Sequence, residues 1–272
     1  MTGSTLLPRD VLSLARLAEM VAREAGKILL GGFNKRFAIT YKGRINPVTE
    51  FDLKSERYII STIKKKYPNH DFLAEEATSK SSPSSHRWII DPLDGTVNYA
   101  HGFPVFCVSI AFEYKGNVVL GVVFDPIHKE LFTAVRGKGA FLNGKRIRVS
   151  SEKKLERSMI ATGFAYDVGS ATRNNIGYFG RMVKRAQAVR RPGSAALDAC
   201  WVACGRFDGF WELRLHPWDT AAAHLILLEA GGIITKMSGR PYSIYDGEMV
   251  ASNGRIHASM LRVLKPGSTK RI

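Results

Sequence analysis

Several features that would place the chain in a specialised class are missing from its sequence. No uninterrupted apolar stretch reaches the roughly 20 residues that a membrane-spanning helix needs, so we expect no membrane association. Residues 1–16 lack a basic stretch followed by an apolar one, which argues against a secretory signal. There is no internal repeat and no low-complexity segment. The expectation is a globular, cytoplasmic protein.

Cysteine is scarce. Cys107, Cys200 and Cys204 are the three in the chain, and their odd number and scattered placement argue against a disulfide framework. Cys200 and Cys204 lie four residues apart on a predicted helix, but no second Cys/His pair of suitable spacing completes a zinc site. We interpret all three as buried thiols.

Acidic residues are few relative to basic ones. The chain carries 24 Asp and Glu against 40 Lys and Arg, a formal net charge of +16. The basic residues are spread over at least five segments, without a zinc finger or a recognisable RNA-binding motif. Three interpretations stay open: a solvated surface, attraction of anionic substrates, and nucleic-acid binding, which is the least favoured.

The hydrophobic and charged fractions, 45% and 24%, are those of an ordinary globular protein of one large domain or two joined lobes. Apolar residues at spacings of three and four predict an amphipathic helix over residues 8–33. A second helix is predicted from near Asn46 to Pro68, with Thr49 and Asp52 as a capping box. A short strand at 71–76, a polar loop at 78–86 and an apolar strand at 87–91 follow.

The pattern then changes twice. Four β-rich runs between residues 105 and 149, separated by short polar turns, predict an antiparallel meander. Beyond it, strand-like runs alternate with predicted helices at 174–186, 193–206, 217–232 and 255–265. We therefore predict a layered α/β architecture with an N-terminal α+β lobe, residues 1–150, and a C-terminal α/β lobe, residues 151–272.

Acidic residues recur where predicted elements begin or end, at Asp52, Glu75-Glu76, Asp91/Asp94 and Asp219. Carboxylates that close together resist joint ionisation unless a cation neutralises them. Oxygen ligands of this kind are those that Mg²⁺ prefers. The sequence therefore indicates a magnesium site. Taken singly, the same residues are also typical of surface turns and of charges that complement a helix dipole.

The stretch "DPLDGT" at 91–96 has a physical interpretation of its own. Pro92 is expected to aim the chain away from the strand, which leaves the Leu93 carbonyl free to face a metal. Gly95 permits a tight turn, and the Thr96 hydroxyl can orient a water molecule. Backbone amides at Gly95 and Thr96 can receive a phosphate group.

Five stretches together resemble the inositol monophosphatase family of magnesium-dependent phosphatases. Two are signature motifs, "WIIDPLDGTVNYAHGFP" and "PWDTAAAHLILLEAGG"; the others are "NPVTEFD", "AEE" and "RRPGSAALDACWVACGRFDGFWE", in family order. The resemblance runs from the N-terminal helix to about residue 255. It implies the sugar-phosphatase fold, a five-layer αβαβα sandwich of two lobes with metals between them. It also implies a homodimer, two to three Mg²⁺ ions and inhibition by Li⁺.

The resemblance also implies roles for particular residues. The metal ligands would be Glu75, Asp91, the Leu93 carbonyl, Asp94 and Asp219. Asp52, Glu75 and Thr96 would be catalytic, with Asp52 and Thr96 positioning the attacking water. The substrate contacts would be Asp94, Gly95, Thr96, Gly193, Ser194, Ala195, Glu212 and Asp219. His101 and His216 are interpreted as structural, because neither falls where the family's mechanism places a base.

The implied reaction is hydrolysis of myo-inositol monophosphate, a small phosphorylated polyol, by an inositol-1-monophosphatase-type enzyme. Ala74 and Pro47 depart from residues common in the family, and neutral Val97 favours an inositol-type site over related nucleotide or histidinol phosphatases. The alternatives are fructose-1,6-bisphosphatase, alone or as a second activity, and histidinol-phosphate phosphatase. A regulator that binds RNA or the transcription machinery is a further alternative of a different class.

Overall fold

The computed structural model describes residues 10–42, 45–76 and 85–265. Most of the polar loop predicted at 78–86 lies outside these ranges. The helices described are α1 Val11–Gly32, α2 Glu50–Lys66, α3 Thr96–Ala100, α4 Ile176–Val183, α5 Ala195–Ala203, α6 Pro217–Glu229 and α7 His257–Leu264. None of these helices is long and apolar enough to span a bilayer.

The strands fall into three sheets. A hairpin pairs β1 Ile39–Lys42 with β2 Asn46–Thr49. The largest sheet contains, in spatial order, β3 Asp71–Ala74, β4 His86–Asp94, β5 Cys107–Tyr114, β6 Asn117–Asp125, β7 Glu130–Val135, β8 Gly139–Leu142 and β9 Lys145–Arg146. The third contains β10 Met159–Thr162, β11 Ala188–Arg190, β12 Gly209–Leu213, β13 Ile233–Thr235 and β14 Glu248–Ser252, in the order β11-β10-β12-β14-β13.

The predicted meander is confirmed. From β4 to β9 each strand pairs antiparallel with the next, while β3 and β4 are parallel. The strands at the centre of this sheet are buried on both faces, which explains why runs such as residues 117–125 are almost continuously apolar. In the five-stranded sheet, β10 is parallel to β11 and β12, and β14 is antiparallel to β12 and β13.

Three apolar clusters define five layers. One cluster packs α1 and α2 against the outer face of the seven-stranded sheet. The second fills the space between the sheets with α5 and α6, and the third packs α4 and α7 on the far face of the five-stranded sheet. The order is therefore α, β, α, β, α, as predicted. Because α5 and α6 are covered on both sides, they are apolar around most of their circumference.

The helix predicted from near Asn46 begins later than expected. Residues Asn46–Thr49 form β2, and α2 begins at Glu50. The capping box is confirmed: Thr49 Oγ1 accepts from the Asp52 amide, and Asp52 accepts from the Thr49 amide. Pro47 cannot donate a backbone hydrogen bond, and the residue before a proline favours extended backbone, so a two-stranded hairpin suits this segment better than a helix.

The expectation that Pro92 turns the chain out of its strand is wrong. Strand β4 continues to Asp94, with an irregularity in its pairing between Asp91 and Asp94. Asp91 pairs with Ser109 and Asp94 with Cys107, so two residues of β4 oppose one of β5. Proline is tolerated in a strand at such a β-bulge because no ladder hydrogen bond is needed there.

Candidate active site

A cavity of about 830 Å³ brings together most of the predicted site residues. It lies where β4 ends, α6 begins, and β10 and β12 run out into loops. The predicted residues on its wall are Glu75, Asp91, Leu93, Asp94, Gly95, Thr96, Gly193, Ala195, Glu212 and Asp219. Asp52 and Ser194 do not line it; each is hydrogen-bonded to a residue that does. Residues that are far apart in the sequence therefore meet in one space.

The bulge in β4 places two carboxylates at this cavity. Asp91 is fully buried, and one of its oxygens accepts a hydrogen bond from the Leu93 amide at 3.0 Å. Because side chains alternate along a regular strand, residues three apart would point to opposite faces. The additional residue in the bulge brings Asp91 and Asp94 to the same side. The Leu93 carbonyl accepts from the Thr96 hydroxyl at 3.0 Å and keeps a second lone pair.

Asp94 is joined to the start of α5. Ser194 Oγ donates to an Asp94 oxygen at 2.6 Å, and the Ala196 amide donates to the same oxygen at 2.8 Å. Ser194 also caps α5 by accepting from the Leu197 amide. The serine that was predicted as a substrate contact therefore also connects the two halves of the cavity.

Asp52 and Thr96 form a buried pair behind the wall. The Thr96 hydroxyl lies 3.2 Å from an Asp52 oxygen, while the other Asp52 oxygen accepts from the Thr49 hydroxyl at 2.5 Å. Burial raises the pKa of Asp52 to about 6, and hydrogen bonds from Thr49 limit the rise. Asp52 is thus held rigidly, with its charge state sensitive to pH near neutrality.

The cavity carboxylates raise one another's pKa. Burial raises the pKa of Glu75 to about 7, against the opposing effect of Lys42. Burial and repulsion from neighbouring carboxylates also raise the pKa of Asp91 and Asp219. For Asp94, burial outweighs its hydrogen bonds and raises the pKa. Bringing ionised carboxylates together in this way is unfavourable unless positive charge accompanies them.

We tested the predicted ion against the chemistry of these donors. They are all carboxylate or carbonyl oxygens, which suit a hard cation such as Mg²⁺. In residues 10–42, 45–76 and 85–265, however, no three His, Cys, Asp or Glu side chains are arranged as a ready metal site. One oxygen each of Asp94 and Asp219 accepts hydrogen bonds from residues at helix starts. The donors therefore fit the ion chemically, and their convergence on it stays a prediction.

Asp219 enters the cavity from the first turn of α6. One of its oxygens accepts from the His216 amide at 2.7 Å, and Pro217 begins the helix. The His216 ring stacks on Trp218 with centroids 4.8 Å apart. Burial and the nearby positive charges of Lys42 and Arg214 lower the pKa of His216. A neutral, stacked ring accords with the structural role predicted for this histidine.

Glu212, near the end of β12, also lines the cavity. Burial, with a smaller effect of Asp94, raises its pKa to about 8, so near pH 7 its carboxyl can donate as well as accept a hydrogen bond. Its carboxyl lies directly over Gly163, where an added Cβ would come under 3.0 Å from the Glu212 oxygens. The absence of a side chain at Gly163 therefore makes room for this carboxyl.

The sequence interpretation missed part of the wall. Gly163, Tyr166, Asp167, Arg191 and Arg214 line the cavity, none of them named among the predicted site residues. Most belong to irregular segments, where no periodicity marks a buried face. The one available signal was position: residues 163–167 lie at the carboxyl end of the strand-like run 159–165, and ligands of open α/β sheets bind beyond the carboxyl ends of strands. In the structure β10 already ends at Thr162.

Lys42 and Arg214 are two of the positive groups on the wall. Lys42, at the end of β1, lies 3.6 Å from Glu75 and 2.5 Å from Glu76. Arg214 has a left-handed backbone, with φ of 65°, and its guanidinium lies 2.5 Å from an Asp167 oxygen. A left-handed non-glycine residue costs about 1–2 kcal/mol, whereas an exposed ion pair contributes about 0–1 kcal/mol. The ion pair alone does not offset this backbone cost.

Comparison with known proteins identifies relatives along nearly the whole chain. The model of the inositol monophosphatase family matches residues 10–267. Inositol monophosphatase 2 of Solanum lycopersicum is 41% identical, over 89% of this chain and 94% of that protein. The Nus factor SuhB of Haemophilus influenzae is also 41% identical, over 93% and 96%. The structure of inositol monophosphatase from Anabaena (Nostoc) superposes with a TM-score of 0.86 at 40% identity, covering 94% of this chain and 96% of that one.

The chain combines a five-layer αβαβα fold with carboxylates from both halves of the sequence in one cavity. Its family match and its inositol monophosphatase relatives define the class: the chain is a phosphatase. The resemblance seen in the five sequence stretches is confirmed. The chain belongs to the inositol monophosphatase family.

Proposed function

We propose that the protein hydrolyses myo-inositol monophosphate to inositol and phosphate in a magnesium-dependent reaction. The observation that supports this most directly is the mixed lining of the cavity. Carboxylates from β4 and α6 share it with Glu212 and with Gly193 and Ala195 near the start of α5. A phosphate ester of a polyol needs both: a charged environment for the phosphate and hydrogen-bonding groups for the hydroxyls.

The carboxylates of the cavity and the Leu93 carbonyl would hold the phosphate and its cations. Glu75, Asp91, Asp94, Asp219 and the Leu93 carbonyl would bind two or three Mg²⁺ ions. Bound magnesium would offset the carboxylate charge, polarise the phosphate and make a nearby water more nucleophilic.

The protein's own groups then position the reactants. Thr96 and Asp52 would orient the attacking water, because the hydroxyl and the carboxylate already form a connected pair. Glu75 would assist as a further carboxylate near that water. The amides of Gly95 and Thr96 would receive phosphate oxygens. These assignments use groups already held in place by neighbouring hydrogen bonds, which limits the reorganisation needed during reaction.

Glu212 and the residues near the start of α5 would select the alcohol. Glu212, Gly193, Ser194 and Ala195 would contact its hydroxyls. A site built to hydrogen-bond a hydroxyl discriminates strongly against ligands that lack it, since its polar groups are then left unpaired. The N-terminal lobe, residues 1–150, would carry the contacts to the phosphate, and the C-terminal lobe, residues 151–272, those to the alcohol. Asp219 is the exception, because it belongs to the C-terminal lobe and would bind a metal ion.

The test is a comparison of purified protein on three phosphoesters with Mg²⁺: inositol 1-phosphate, fructose 1,6-bisphosphate and histidinol phosphate. We expect the highest kcat/KM for inositol 1-phosphate, with activity lost in EDTA and reduced by Li⁺. A higher kcat/KM for either competitor would replace the proposed substrate. Full activity in EDTA would refute the role of magnesium.

A second candidate function rests on relatives named Nus factor SuhB and on the net charge of +16. We propose an additional role in transcription. We also propose that the protein is a cytoplasmic homodimer. Binding to RNA that survives physiological salt would support this role. Weak binding lost as salt rises would indicate only non-specific attraction to phosphate.

A further inference from the structure

Two parallel strands separate at the edge of the cavity. The pairing of β10 with β12 ends at Thr162 and Trp211. Beyond that point residues 163–167 line the cavity, and so do Glu212 and Arg214 from the end of β12. We call residues 163–167 the wall segment. Because backbone hydrogen bonds no longer join these two stretches, other contacts must set the distance between them.

One of these contacts is the ion pair between Arg214 and Asp167, at 2.5 Å. Five non-glycine residues in the described part of the chain have a positive φ, and Arg214 is the one that lines the cavity. The other four lie in hairpin turns or directly after α1, where such backbone is ordinary. Strained backbone tends to persist where the surroundings hold it for a functional reason.

The backbone of Arg214 is anchored independently of its side chain. Its amide donates to the Gly247 carbonyl at 2.5 Å, and the Leu215 amide donates to the same carbonyl at 3.0 Å. The guanidinium therefore projects from a fixed point toward the wall segment. Asp167, which belongs to that segment, supplies the carboxylate of the ion pair. Its backbone carbonyl accepts hydrogen bonds from the amides of Ser170 and Ala171.

Asp167 depends on this arginine. Its second carboxylate oxygen is buried and has no hydrogen-bond partner among the described residues. Without Arg214, a partly buried carboxylate would remain beside a cavity already rich in carboxylates, and the wall segment would move to solvate it. Gly163, which packs under the Glu212 carboxyl, belongs to the same segment. Movement of the segment would therefore disturb Glu212.

We propose that Arg214 and Asp167 are positioning residues whose ion pair acts as a clasp. The clasp holds the wall segment against the end of β12 and keeps the Glu212 carboxyl in place for a hydroxyl of the substrate alcohol. The inference rests on the proposed function only in taking that alcohol to be a polyol. Among the described residues, neither Arg214 nor Asp167 has a hydrogen bond or ion pair with a predicted metal ligand.

Kinetics of matched variants test the clasp. Arg214→Gly, which also relieves the positive φ, should raise KM for inositol 1-phosphate about fivefold while kcat changes less than about twofold. Exchanging the charges, Asp167→Arg with Arg214→Asp, should restore most of the lost kcat/KM. The control is Arg206→Gly, because Arg206 also makes an exposed ion pair, with Glu130, but does not line the cavity. It should leave KM unchanged.

Hydrogen exchange supplies a readout that needs no substrate. In Arg214→Gly, the amide hydrogens of residues 163–171 should exchange about fivefold faster than in the wild type. The double variant Asp167→Arg/Arg214→Asp should return their exchange rate to that of the wild type. If the wild type fails to hydrolyse inositol 1-phosphate, the proposed function is wrong, while exchange still tests the clasp. An unchanged rate of hydrogen exchange in Arg214→Gly would overturn the clasp. So would a double variant, Asp167→Arg/Arg214→Asp, that restores neither KM nor the protection of these amides.

Discussion

Replacing Gly163 by alanine should test how closely the alcohol side of the cavity is built around Glu212. An added Cβ would stand under 3.0 Å from both Glu212 oxygens, closer than Cβ atoms are found to other atoms. The carboxyl must then retreat by about 1 Å, which would lengthen or break its hydrogen bond to a substrate hydroxyl. Gly163 itself has no positive φ, so alanine adds steric conflict and no backbone strain.

The energetic consequence can be bounded from the contact that would be lost. A hydrogen bond from a substrate hydroxyl to a buried carboxyl is worth about 1–3 kcal/mol. At about 1.4 kcal/mol per factor of ten, kcat/KM for inositol 1-phosphate should fall by about 10- to 100-fold. Most of the loss should appear in KM, because the contact proposed for Glu212 is with a hydroxyl of the alcohol and not with the phosphate. The magnesium concentration at half-maximal activity should not change.

The assay is steady-state phosphate release at varied inositol 1-phosphate and varied Mg²⁺. Gly169→Ala is the matched control, because it lies in the same loop and an added Cβ there meets no atom within 4 Å. A Gly163→Ala enzyme with unchanged KM would refute the placement of Glu212 at the substrate alcohol. A shifted magnesium midpoint with unchanged KM would instead assign Glu212 to the metal side.

Three further predictions concern other parts of the molecule. Asp91→Asn keeps an acceptor for the Leu93 amide, yet it should lower kcat about 10³-fold in saturating Mg²⁺. Circular dichroism should show an intact fold. Substantial activity of this variant would argue against Asp91 as a metal ligand. Asp52 has a folded-state pKa of about 6, above its usual 3.8, so its ionisation destabilises the fold as pH rises from about 4 to 6. In EDTA, Asp52→Asn should therefore gain stability over the wild type across that range, by up to about 3 kcal/mol in urea unfolding, and a constant difference would contradict this. Gly121→Ala would place a Cβ 2.5 Å from the Ala222 carbonyl oxygen, where α6 packs on β6. This variant should lower the free energy of unfolding by about 1–3 kcal/mol. An unchanged urea midpoint would show that the layers can shift to accommodate the added methyl group.

Much of the fold could be predicted because its signals are local. The meander follows from short apolar runs separated by polar turns, and α1 follows from apolar residues at helical spacing that prove fully buried at Leu14, Ala18 and Val21. The Thr49–Asp52 capping box also depends only on residues three apart. The prediction was wrong at β2, where the extended preference around Pro47 suits a hairpin with β1, and at Pro92, where a β-bulge lets β4 continue its pairing with β5.

The candidate site also combines features that short stretches of sequence predict with features that depend on tertiary contacts. The amino-acid sequence by itself determined the acidic motif at 91–96, the position of Asp219 in the first turn of α6 and the resemblance to the family, since each rests on short stretches of consecutive residues. Only the tertiary structure decided that Asp94 meets Ser194, 100 residues away, and that Arg214 meets Asp167. Such contacts depend on how α5 and α6 pack between two sheets and on where β10 and β12 separate. Because that geometry is set by the summed packing of the layers, no short stretch of sequence carries it.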